Sequence, residues 1–229
     1  MTRRCWTLSP ADLTALWEEC PRCFYLDVVR GFPRPRPAPP AVIARIDAQL
    51  KACVDGRRTE TLAPEMPAGV FELDERWVES RPLDVHLPDT VLHCLVRGRL
   101  DTVVRLDDGG WAVVDFKTSE RAPERVALDA RQLHAYAWAL EHPAPGALAL
   151  GPVTRLGLLL FEPEKFAREG DGLGALTGGL SWIEIPRDDA MLFGFLAEVL
   201  SVLERAEPPG GAPLCEWCVY RDASRRTGL

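Results

Sequence analysis

The sequence is poor in lysine, histidine and tyrosine, and it contains no long uninterrupted apolar segment. No apolar stretch approaches the roughly 20 residues of a membrane-spanning helix. The first residues, MTRRCWTLSPADL, lack the apolar centre of a secretory signal peptide. We therefore expect a soluble cytoplasmic protein with no membrane partner. The histidines lie too far apart in the sequence to indicate a metal site; they are His86, His93, His134 and His142.

Net charge limits the partners that can be expected. The chain has 34 acidic and 27 basic residues and a net charge of −7, which argues against a general polyanion-binding protein. Arginines nevertheless cluster locally, and such patches would contact nucleic acid weakly and in a salt-sensitive way. The clusters are Arg34 with Arg36, Arg57 with Arg58, and Arg225 with Arg226. A length of 229 residues is ample for one large domain with a real core.

The seven cysteines are unevenly placed along the chain. In a cytoplasmic protein, cysteines indicate metal or redox chemistry before they indicate disulfides. Cys20 and Cys23 form one C-x-x-C pair, and Cys215 and Cys218 form another. Two such pairs are the usual ligands of one tetrahedral structural Zn²⁺. The alternative is that the four are independent reduced thiols.

The stretch Val91–Lys117 organises the chain, because it predicts three apolar strands folded back on one another. The strands are Leu92–Gly98, Arg99–Leu106 and Trp111–Lys117. We expect Gly98 to lead from the first strand into the second. Asp107-Asp108-Gly109-Gly110 is a strong tight-turn signal, since these residue types accept positive φ. It predicts an antiparallel hairpin between the second and third strands.

Two of these strands carry a carboxylate, Asp101 on one and Asp115 on the other. Because strand side chains alternate, Asp115 and Lys117 should share one face while Phe116 points into the core on the other. Lys117 is one of only three lysines in a chain whose other cations are arginines, which suggests a role that needs a compact ammonium. Two acids and an ammonium at open strand ends predict a divalent-metal site. The alternative is an ordinary ion pair.

The segments before the central stretch predict two helices and a linker. A helix should run from Ser9 to about Glu19, with Ser as its cap and Pro at its first position. The C-x-x-C at Cys20–Cys23 should end it in a knuckle-like turn. Gly31–Pro40, GFPRPRPAPP, predicts a stiff extended linker. Ala41–Val54 has helical periodicity, and Asp47 beside its apolar stripe is either a site residue or a solvated one.

The segments after the central stretch predict a helix within Ala122–Glu141, on which Gln132 and Tyr136 share one face because they are four residues apart. A buried strand over Thr154–Phe161 and a glycine-rich surface loop over Gly170–Gly179 should follow. The predicted units are residues 1–40 (helix, C-x-x-C and linker), 41–206 (core with a C-terminal helix) and 207–229 (C-x-x-C segment and basic tail).

Three short motifs follow one another along the chain: Gly98-x-x-Asp101, Asp115-Phe116-Lys117 and Gln132-x-x-x-Tyr136. With a helix, a three-stranded antiparallel meander, a helix and a strand in that order, they resemble the PD-(D/E)XK nuclease superfamily. The likeness is greatest to the RecB-type branch that carries cysteines at both ends. It covers roughly residues 41–161, and CPRCFYL and CEWCVYR extend it to both ends. The resemblance implies a restriction-endonuclease-like α/β core whose terminal segments are joined by a site made of four cysteines.

The resemblance implies a metal centre in this core. Asp101 and Asp115 would bind Mg²⁺ or Mn²⁺, hard cations that prefer carboxylate oxygens, and the backbone carbonyl of Phe116 would complete the protein ligands. The RecB-type pattern also has a histidine or an acid on the helix before the meander. This chain has no histidine there, and Asp47 is the candidate substitute.

The same resemblance implies roles for three further side chains. Lys117 would orient or deprotonate the attacking water and offset charge in the transition state. Gln132 and Tyr136 would hold the scissile phosphate or steady the Lys117 end of the site. The implied activity is metal-dependent hydrolysis of DNA, single-stranded or at duplex ends, in repair, recombination or defence, with a helicase or repair protein as partner. The alternatives are a catalytically inactive nucleic-acid-binding module of the same fold, and a metalloprotein in which the Asp115–Lys117 pair is only a salt bridge.

The cysteines depart from the pattern of the resembled branch. Relatives with a 4Fe–4S cluster carry one cysteine early and three late. Here Ser224 stands about where the third late cysteine would fall, and Cys23 is an additional early one. The resemblance favours a 4Fe–4S cluster, whereas two C-x-x-C pairs are typical of structural Zn²⁺, and both remain open. Either metal would tie the two ends of the chain together beside the core.

Overall fold

The computed structural model describes residues 4–35, 40–72, 75–118 and 122–227. The helices are α1 (Pro10–Thr14), α2 (Leu16–Glu19), α3 (Pro21–Arg30), α4 (Ala41–Val54), α5 (Pro123–Glu141), α6 (Asp189–Leu203) and α7 (Glu216–Arg226). The strands are β1 (Cys5–Leu8), β2 (Gly69–Glu72), β3 (Arg76–Glu79), β4 (Leu83–Leu87), β5 (Thr90–Leu100), β6 (Thr102–Leu106), β7 (Trp111–Thr118), β8 (Val153–Gly170) and β9 (Leu173–Ile185). Among the described residues, no helix is long and apolar enough to cross a membrane.

The strands form two sheets. In the first sheet, β5 pairs in parallel with β1 and antiparallel with β3 and β4. The second sheet has the order β2-β6-β7-β8-β9. Its central strand β7 pairs antiparallel with β6 and in parallel with β8, and α5 makes the crossover between those two parallel strands. Parallel pairing requires such a crossover, and it places α5 against β7.

Strand β7 is buried on both faces, which explains why its sequence is nearly all apolar. Val114 and Phe116 belong to a core on the face toward α4, where the ring of Phe116 stacks on that of Phe71 at 6.4 Å. Val113 belongs to the larger core on the opposite face, toward α5. Since strand side chains alternate, Asp115 lies on the α5 side.

The predicted hairpin is confirmed. Strands β6 and β7 pair antiparallel, with Thr102 opposite Val114. At the turn, Leu106 N–H donates to the carbonyl of Gly110 at 2.9 Å, and Gly109 has a φ of 88°. Only glycine adopts such a φ readily, so the residue types at the turn set its geometry locally.

The predicted pairing of the first two strands of the meander, β5 and β6, is wrong. Strand β5 is not folded back on β6; the chain runs on from one to the other, with a break only at Asp101, and the two belong to different sheets. The third strand beside the hairpin is β2, which pairs with β6. Gly98 lies inside β5 and not at a turn. A Cβ there would come within 2.8 Å of Cδ of Pro10 and 3.2 Å of Cε1 of Tyr136, so the glycine permits close packing.

The predicted N-terminal helix is present as two short helices, α1 and α2. The expected knuckle-like turn is wrong, because Cys20 has an extended backbone and Pro21 starts α3 directly. Helix α4 has the predicted bounds, Ala41–Val54. Of the predicted linker, residues 36–39, including Arg36, lie outside the described residues. The division of the chain at residues 40 and 206 stays a prediction.

The glycine-rich segment 170–179 was predicted to be a surface loop, and this prediction is wrong. The segment forms the tip of a long hairpin. Strand β8 extends to Gly170 and β9 begins at Leu173. The glycines make room for the partner strand: a Cβ at Gly174 would come within 2.2 Å of the ring of Phe166, and one at Gly178 within 2.0 Å of the carbonyl of Glu162. The two strands therefore pair along almost their whole length.

Candidate active site and cysteine centre

Asp115 is the most deeply buried acid of the predicted site, with 3% of its surface exposed. Its Oδ1 accepts a hydrogen bond from Nε2 of Gln132 at 3.0 Å. Its Oδ2 lies 2.6 Å from Nζ of Lys117. That approach is an ion pair without hydrogen-bond geometry, so Oδ2 is buried and lacks a hydrogen-bond donor. The side-chain amide of Gln132 therefore fixes Oδ1 of Asp115, and Oδ2 is paired with the ammonium of Lys117.

The surroundings of Asp115 oppose its ionisation. Burial raises its pKa from the ordinary 3.8 to about 7, because the charged carboxylate loses its hydration. The ammonium of Lys117 acts in the opposite direction, and the nearby carboxylate of Asp101 adds to the increase. A buried acid with a raised pKa, such as Asp115 here, is a recurrent feature of functional sites.

Lys117 lies between two acids. Its Nζ is 2.6 Å from Asp115 and 3.4 Å from Oδ1 of Asp129, which is 5% exposed. Burial alone would lower the pKa of Lys117, but the two carboxylates outweigh it and raise that pKa above its usual value. The sequence analysis missed Asp129. Its position three residues before Gln132, on the same face of α5, is the signal that could have revealed it.

Asp101 occupies the break between β5 and β6. Its Oδ2 accepts a hydrogen bond from the backbone N–H of Phe116 at 3.2 Å. Its Oδ1 accepts one from Nζ of Lys51 at 2.9 Å. The observed contact of Phe116 with the site is thus through its backbone amide to Asp101, while its ring packs in the core. The role of its carbonyl as a metal ligand stays a prediction.

Among the residues that the structure describes, Asp47 contacts the site through Lys51. Its Oδ2 lies 2.8 Å from the ammonium of Lys51, which also contacts Glu75 at 2.8 Å and Asp101 at 2.9 Å. The sequence analysis missed Lys51 and Glu75. The scarcity of lysine that drew attention to Lys117 applied equally to Lys51, four residues after Asp47 on the same helix face.

Gln132 and Tyr136 both face the site from α5, but they contact protein groups there. Gln132 fixes Oδ1 of Asp115. The hydroxyl of Tyr136 donates to the carbonyl of Arg99 at 2.7 Å, which holds the end of β5 in place two residues before Asp101. Burial raises the pKa of Tyr136 above its usual value, and the carboxylates of Asp115 and Asp101 add to that. The two roles predicted for this pair, holding the scissile phosphate or steadying the Lys117 end of the site, stay predictions.

The donor set fits a hard divalent cation. Asp101 and Asp115 present carboxylate oxygens from neighbouring strands, and Oδ2 of Asp115 is buried without a hydrogen-bond donor. Each carboxylate oxygen has two lone pairs, so Oδ2 of Asp101 can accept from Phe116 and still coordinate an ion. Mg²⁺ and Mn²⁺ prefer such ligands. The geometry brings together five predicted residues, Asp101, Asp115, Lys117, Gln132 and Tyr136, and holds Asp47 behind Lys51.

The four cysteines of the C-x-x-C pairs lie together although almost two hundred residues separate the pairs. The Sγ atoms of Cys20 and Cys218 are 3.6 Å apart, those of Cys23 and Cys215 are 3.6 Å apart, and those of Cys23 and Cys218 are 3.7 Å apart. All four sulfur atoms lie within 4.8 Å of one another, and all four residues are buried. Cys20 precedes α3 and Cys215 precedes α7, so the start of each helix brings in its own pair.

Hydrogen-bond donors reach two of the four sulfur atoms, although burial raises the pKa of Cys218 to about 11. Sγ of Cys20 accepts from the N–H of Ala212 at 3.5 Å, and Sγ of Cys218 accepts from the guanidinium of Arg221 at 3.3 Å. Burial would raise the pKa of Cys20, but hydrogen bonds from the backbone and from the other thiols lower it to about 7. Gly211 is required here, since a Cβ would lie 2.7 Å from Cβ of Cys218.

Comparison with known proteins identifies the family. The family model described as the PD-(D/E)XK nuclease superfamily matches residues 47–223, which is more than half of the chain. The chain belongs to the PD-(D/E)XK nuclease superfamily. The match includes Asp101, Asp115 and Lys117, and the predicted restriction-endonuclease-like α/β fold is confirmed.

The chain was also compared with solved structures and with curated proteins. A solved structure described as "Crystal structure of SSO0001" is similar over 94% of this chain and 84% of its own, with 18% sequence identity and a TM-score of 0.47. No curated protein matches the chain. The assignment to the RecB-type branch therefore stays a prediction.

Proposed function

We propose that this protein is a divalent-metal-dependent nuclease that hydrolyses phosphodiester bonds in DNA. The observation that carries the proposal is the buried Asp115, which faces Asp101 and contacts Lys117 at 2.6 Å. Two carboxylates that face each other repel when both are ionised, and a bound Mg²⁺ or Mn²⁺ would offset that repulsion together with Lys117. Membership of a nuclease superfamily supports the same conclusion.

The proposed roles follow from the contacts. Asp101 and Asp115 would hold a divalent cation, which would lower the pKa of the attacking water and offset negative charge on the phosphate. Lys117 donates hydrogen bonds toward that water and offsets negative charge as it develops on the phosphate. Gln132 fixes the orientation of Asp115, and Tyr136 fixes the end of the strand that carries Asp101.

A groove beside the site supports a polynucleotide substrate. It has a volume of about 850 Å³, and its lining includes Trp77, Arg97, Arg99 and Tyr136. Trp77 is 65% exposed, and the guanidinium of Arg97 lies 5.6 Å from its ring. Exposed aromatic rings with arginines bind single-stranded nucleic acid by stacking and charge. We propose single-stranded DNA or frayed duplex ends as the substrate, in repair, recombination or defence, with a helicase or repair protein as partner.

One observation favours a second candidate function, a catalytically inactive nucleic-acid-binding module. Oδ1 of Asp101 is engaged by Lys51, and Asp47 contacts Lys51 and not the carboxylate pair. If too few carboxylate oxygens remain to hold a catalytic metal ion, the protein would bind DNA without cutting it. Activity separates the two candidates.

The test is cleavage of linear single-stranded and duplex DNA with Mn²⁺ by the wild-type protein and two variants. Asp115→Asn and Lys117→Ala should each reduce the rate by about 100-fold or more, because the first removes a proposed ligand of the cation and the second removes the ammonium that acts on the water and the phosphate. Asp171→Asn is the matched control, since Asp171 is fully exposed at the tip of the β8–β9 hairpin. Wild-type cleavage no faster than that of Asp115→Asn would contradict the nuclease proposal.

We propose a single structural Zn²⁺ for the four cysteines. With Zn–S bonds of about 2.3 Å, the sulfur atoms of a tetrahedral site are roughly 3.8 Å apart. Three sulfur pairs here are 3.6, 3.6 and 3.7 Å apart, and all four sulfur atoms lie within 4.8 Å of one another. A 4Fe–4S cluster places a cube of iron and sulfide between the thiolates and needs wider spacing. Reduced thiols at this centre are also consistent with a cytoplasmic location, which we propose.

Metal analysis tests this assignment. Protein purified without oxygen should contain about one zinc per chain and no visible absorption from iron–sulfur charge transfer. Four irons per chain with a broad absorption near the blue end of the visible spectrum would contradict the zinc assignment and support a 4Fe–4S cluster.

A further inference from the structure

Lys51 is surrounded by carboxylates at the edge of the candidate active site. Its Nζ lies 2.8 Å from Oδ2 of Asp47, 2.8 Å from Oε1 of Glu75 and 2.9 Å from Oδ1 of Asp101. Its side chain is 12% exposed. Three oxygen ligands from three separate carboxylates around one cation form the kind of donor set that otherwise binds a divalent metal ion.

Asp101 is the residue common to this cluster and to the carboxylate pair. Its Oδ1 faces Lys51, and its Oδ2 accepts from Phe116 on the side of Asp115. Oδ2 of Asp115 is buried and lies 2.6 Å from the ammonium of Lys117. The two oxygens of Asp101 therefore differ: an ammonium contacts Oδ1, whereas Oδ2 accepts from a backbone amide.

This asymmetry bears on how many ions the site can take. In two-metal nuclease centres the ions lie about 3.5–4 Å apart and share a bridging carboxylate. Asp101 lies where such a bridging carboxylate would lie, but its Oδ1 contacts the ammonium of Lys51. An ammonium supplies one positive charge and three donors, and it has no coordination position open to water or phosphate.

We propose that Lys51 takes the place of a second divalent ion, so that the centre binds one ion, between Asp101 and Asp115, with Asp47 and Glu75 as positioning residues for the ammonium. The inference rests on the proposed function, and it adds the metal stoichiometry of the site. It also accounts for the position of Asp47, which is held to Lys51 and not to the carboxylate pair.

The test is the number of Mn²⁺ ions bound per chain, measured by equilibrium dialysis and by loss of the free Mn²⁺ electron paramagnetic resonance signal. The full-length protein with its cysteine-bound metal retained should bind one ion. Lys51→Met keeps an apolar stem but removes the charge, and it should bind two. Lys51→Gln is a second variant in case the first does not fold, and it should also bind two.

The controls separate charge from packing. Lys51→Arg keeps a cation between the acids and should bind one ion. Lys165→Ala removes a lysine from the β8–β9 hairpin, away from the site, and should also bind one. Two ions on the wild-type protein, or one ion on both neutral variants of Lys51, would overturn the proposal.

The same samples distinguish this inference from the proposed nuclease activity. A wild-type protein that binds one ion without cutting DNA contradicts the activity and leaves the stoichiometry supported. A wild-type protein that cuts DNA with two bound ions contradicts only the role of Lys51. A wild-type protein that binds no Mn²⁺ overturns both.

Discussion

The ammonium of Lys117 lies 3.4 Å from a carboxylate oxygen of Asp129, a buried acid on the helix that packs over β7. Lys117 is thereby held between Asp129 and Asp115, and both charges raise its pKa. This arrangement explains how a partly buried ammonium stays protonated beside the proposed metal site. It also makes Asp129 a positioning residue that acts through Lys117.

Asp129→Asn should shift the pH dependence of cleavage. The substitution keeps the side-chain shape and removes one of the charges that favour protonated Lys117, so the pKa of Lys117 should fall. We expect the alkaline limb of the pH–rate profile to move to lower pH by roughly one unit. A purely structural role would lower the rate equally at every pH and leave the limb in place. Glu124→Gln, at an exposed position in the first turn of α5, is the control and should change neither.

Asp115 should make the metal-free protein less stable as pH rises. Its pKa is about 7 in the folded protein and 3.8 ordinarily, so the native state binds more protons than the unfolded state between these values. The free energy of unfolding should therefore fall across this window, by at most about 1.4 kcal/mol per pH unit for one proton. Urea titrations without added Mg²⁺ or Mn²⁺ measure it.

Asp115→Asn is the control for the pH dependence, because it cannot ionise and should lack this part of the slope. Added Mn²⁺ should stabilise the wild-type protein more above pH ~7 than below pH ~5, since only the ionised carboxylate binds the ion. Equal slopes for the two proteins would show that Asp115 has no raised pKa.

Gly98→Ala should destabilise the fold. A Cβ at this position would come within 2.8 Å of Cδ of Pro10 and 3.2 Å of the ring of Tyr136, and relief of such overpacking typically costs about 1–3 kcal/mol. Gly194→Ala is the matched control, because a Cβ there meets nothing within 4 Å in α6. That change should be neutral or stabilise the helix by up to about 1 kcal/mol. Denaturant unfolding of both variants checks the difference, which should vanish if the close contacts of Gly98 with Pro10 and Tyr136 do not exist.

Cys218→Ser should release the structural metal that we propose for the four cysteines. The pair of C-x-x-C segments joins the two ends of the chain only through this centre and the packing around it, so the free energy of unfolding should fall by several kcal/mol, on the order of the metal's contribution to folding. Cys53→Ser, at an exposed position of α4, should keep both the metal and the stability. Metal content and thermal unfolding are the measurements. Unchanged metal content in Cys218→Ser would contradict a four-cysteine centre.

Features that depend on neighbouring residues could be predicted from the sequence. The hairpin follows from Asp107-Asp108-Gly109-Gly110, where glycine accepts a φ of 88°. The shared face of Asp115 and Lys117 follows from strand alternation. The bounds of α4 follow from its periodicity. In each case the residue types within a few positions carry the information.

The break at Asp101 could not be predicted in this way. Both β5 and β6 have the pattern of apolar strands, and their sequence does not reveal that the chain passes from one sheet to another there. The partners of each strand are chosen by burial of faces across the whole domain. The prediction for Gly98 was wrong for the same reason, since its function is close contact with Pro10 and Tyr136, which are distant in sequence.

The sequence by itself determined the two acids, the ammonium and the two cysteine pairs, because their motifs are local and depend on residue chemistry. Only the tertiary structure decided what surrounds them: Asp129 beside Lys117, and Lys51 between Asp47 and Asp101. The physical reason is that electrostatic partners are set by through-space distance and burial. The contacts of Lys117 with Asp129 and of Lys51 with Asp101 arise only when a helix and a sheet pack together.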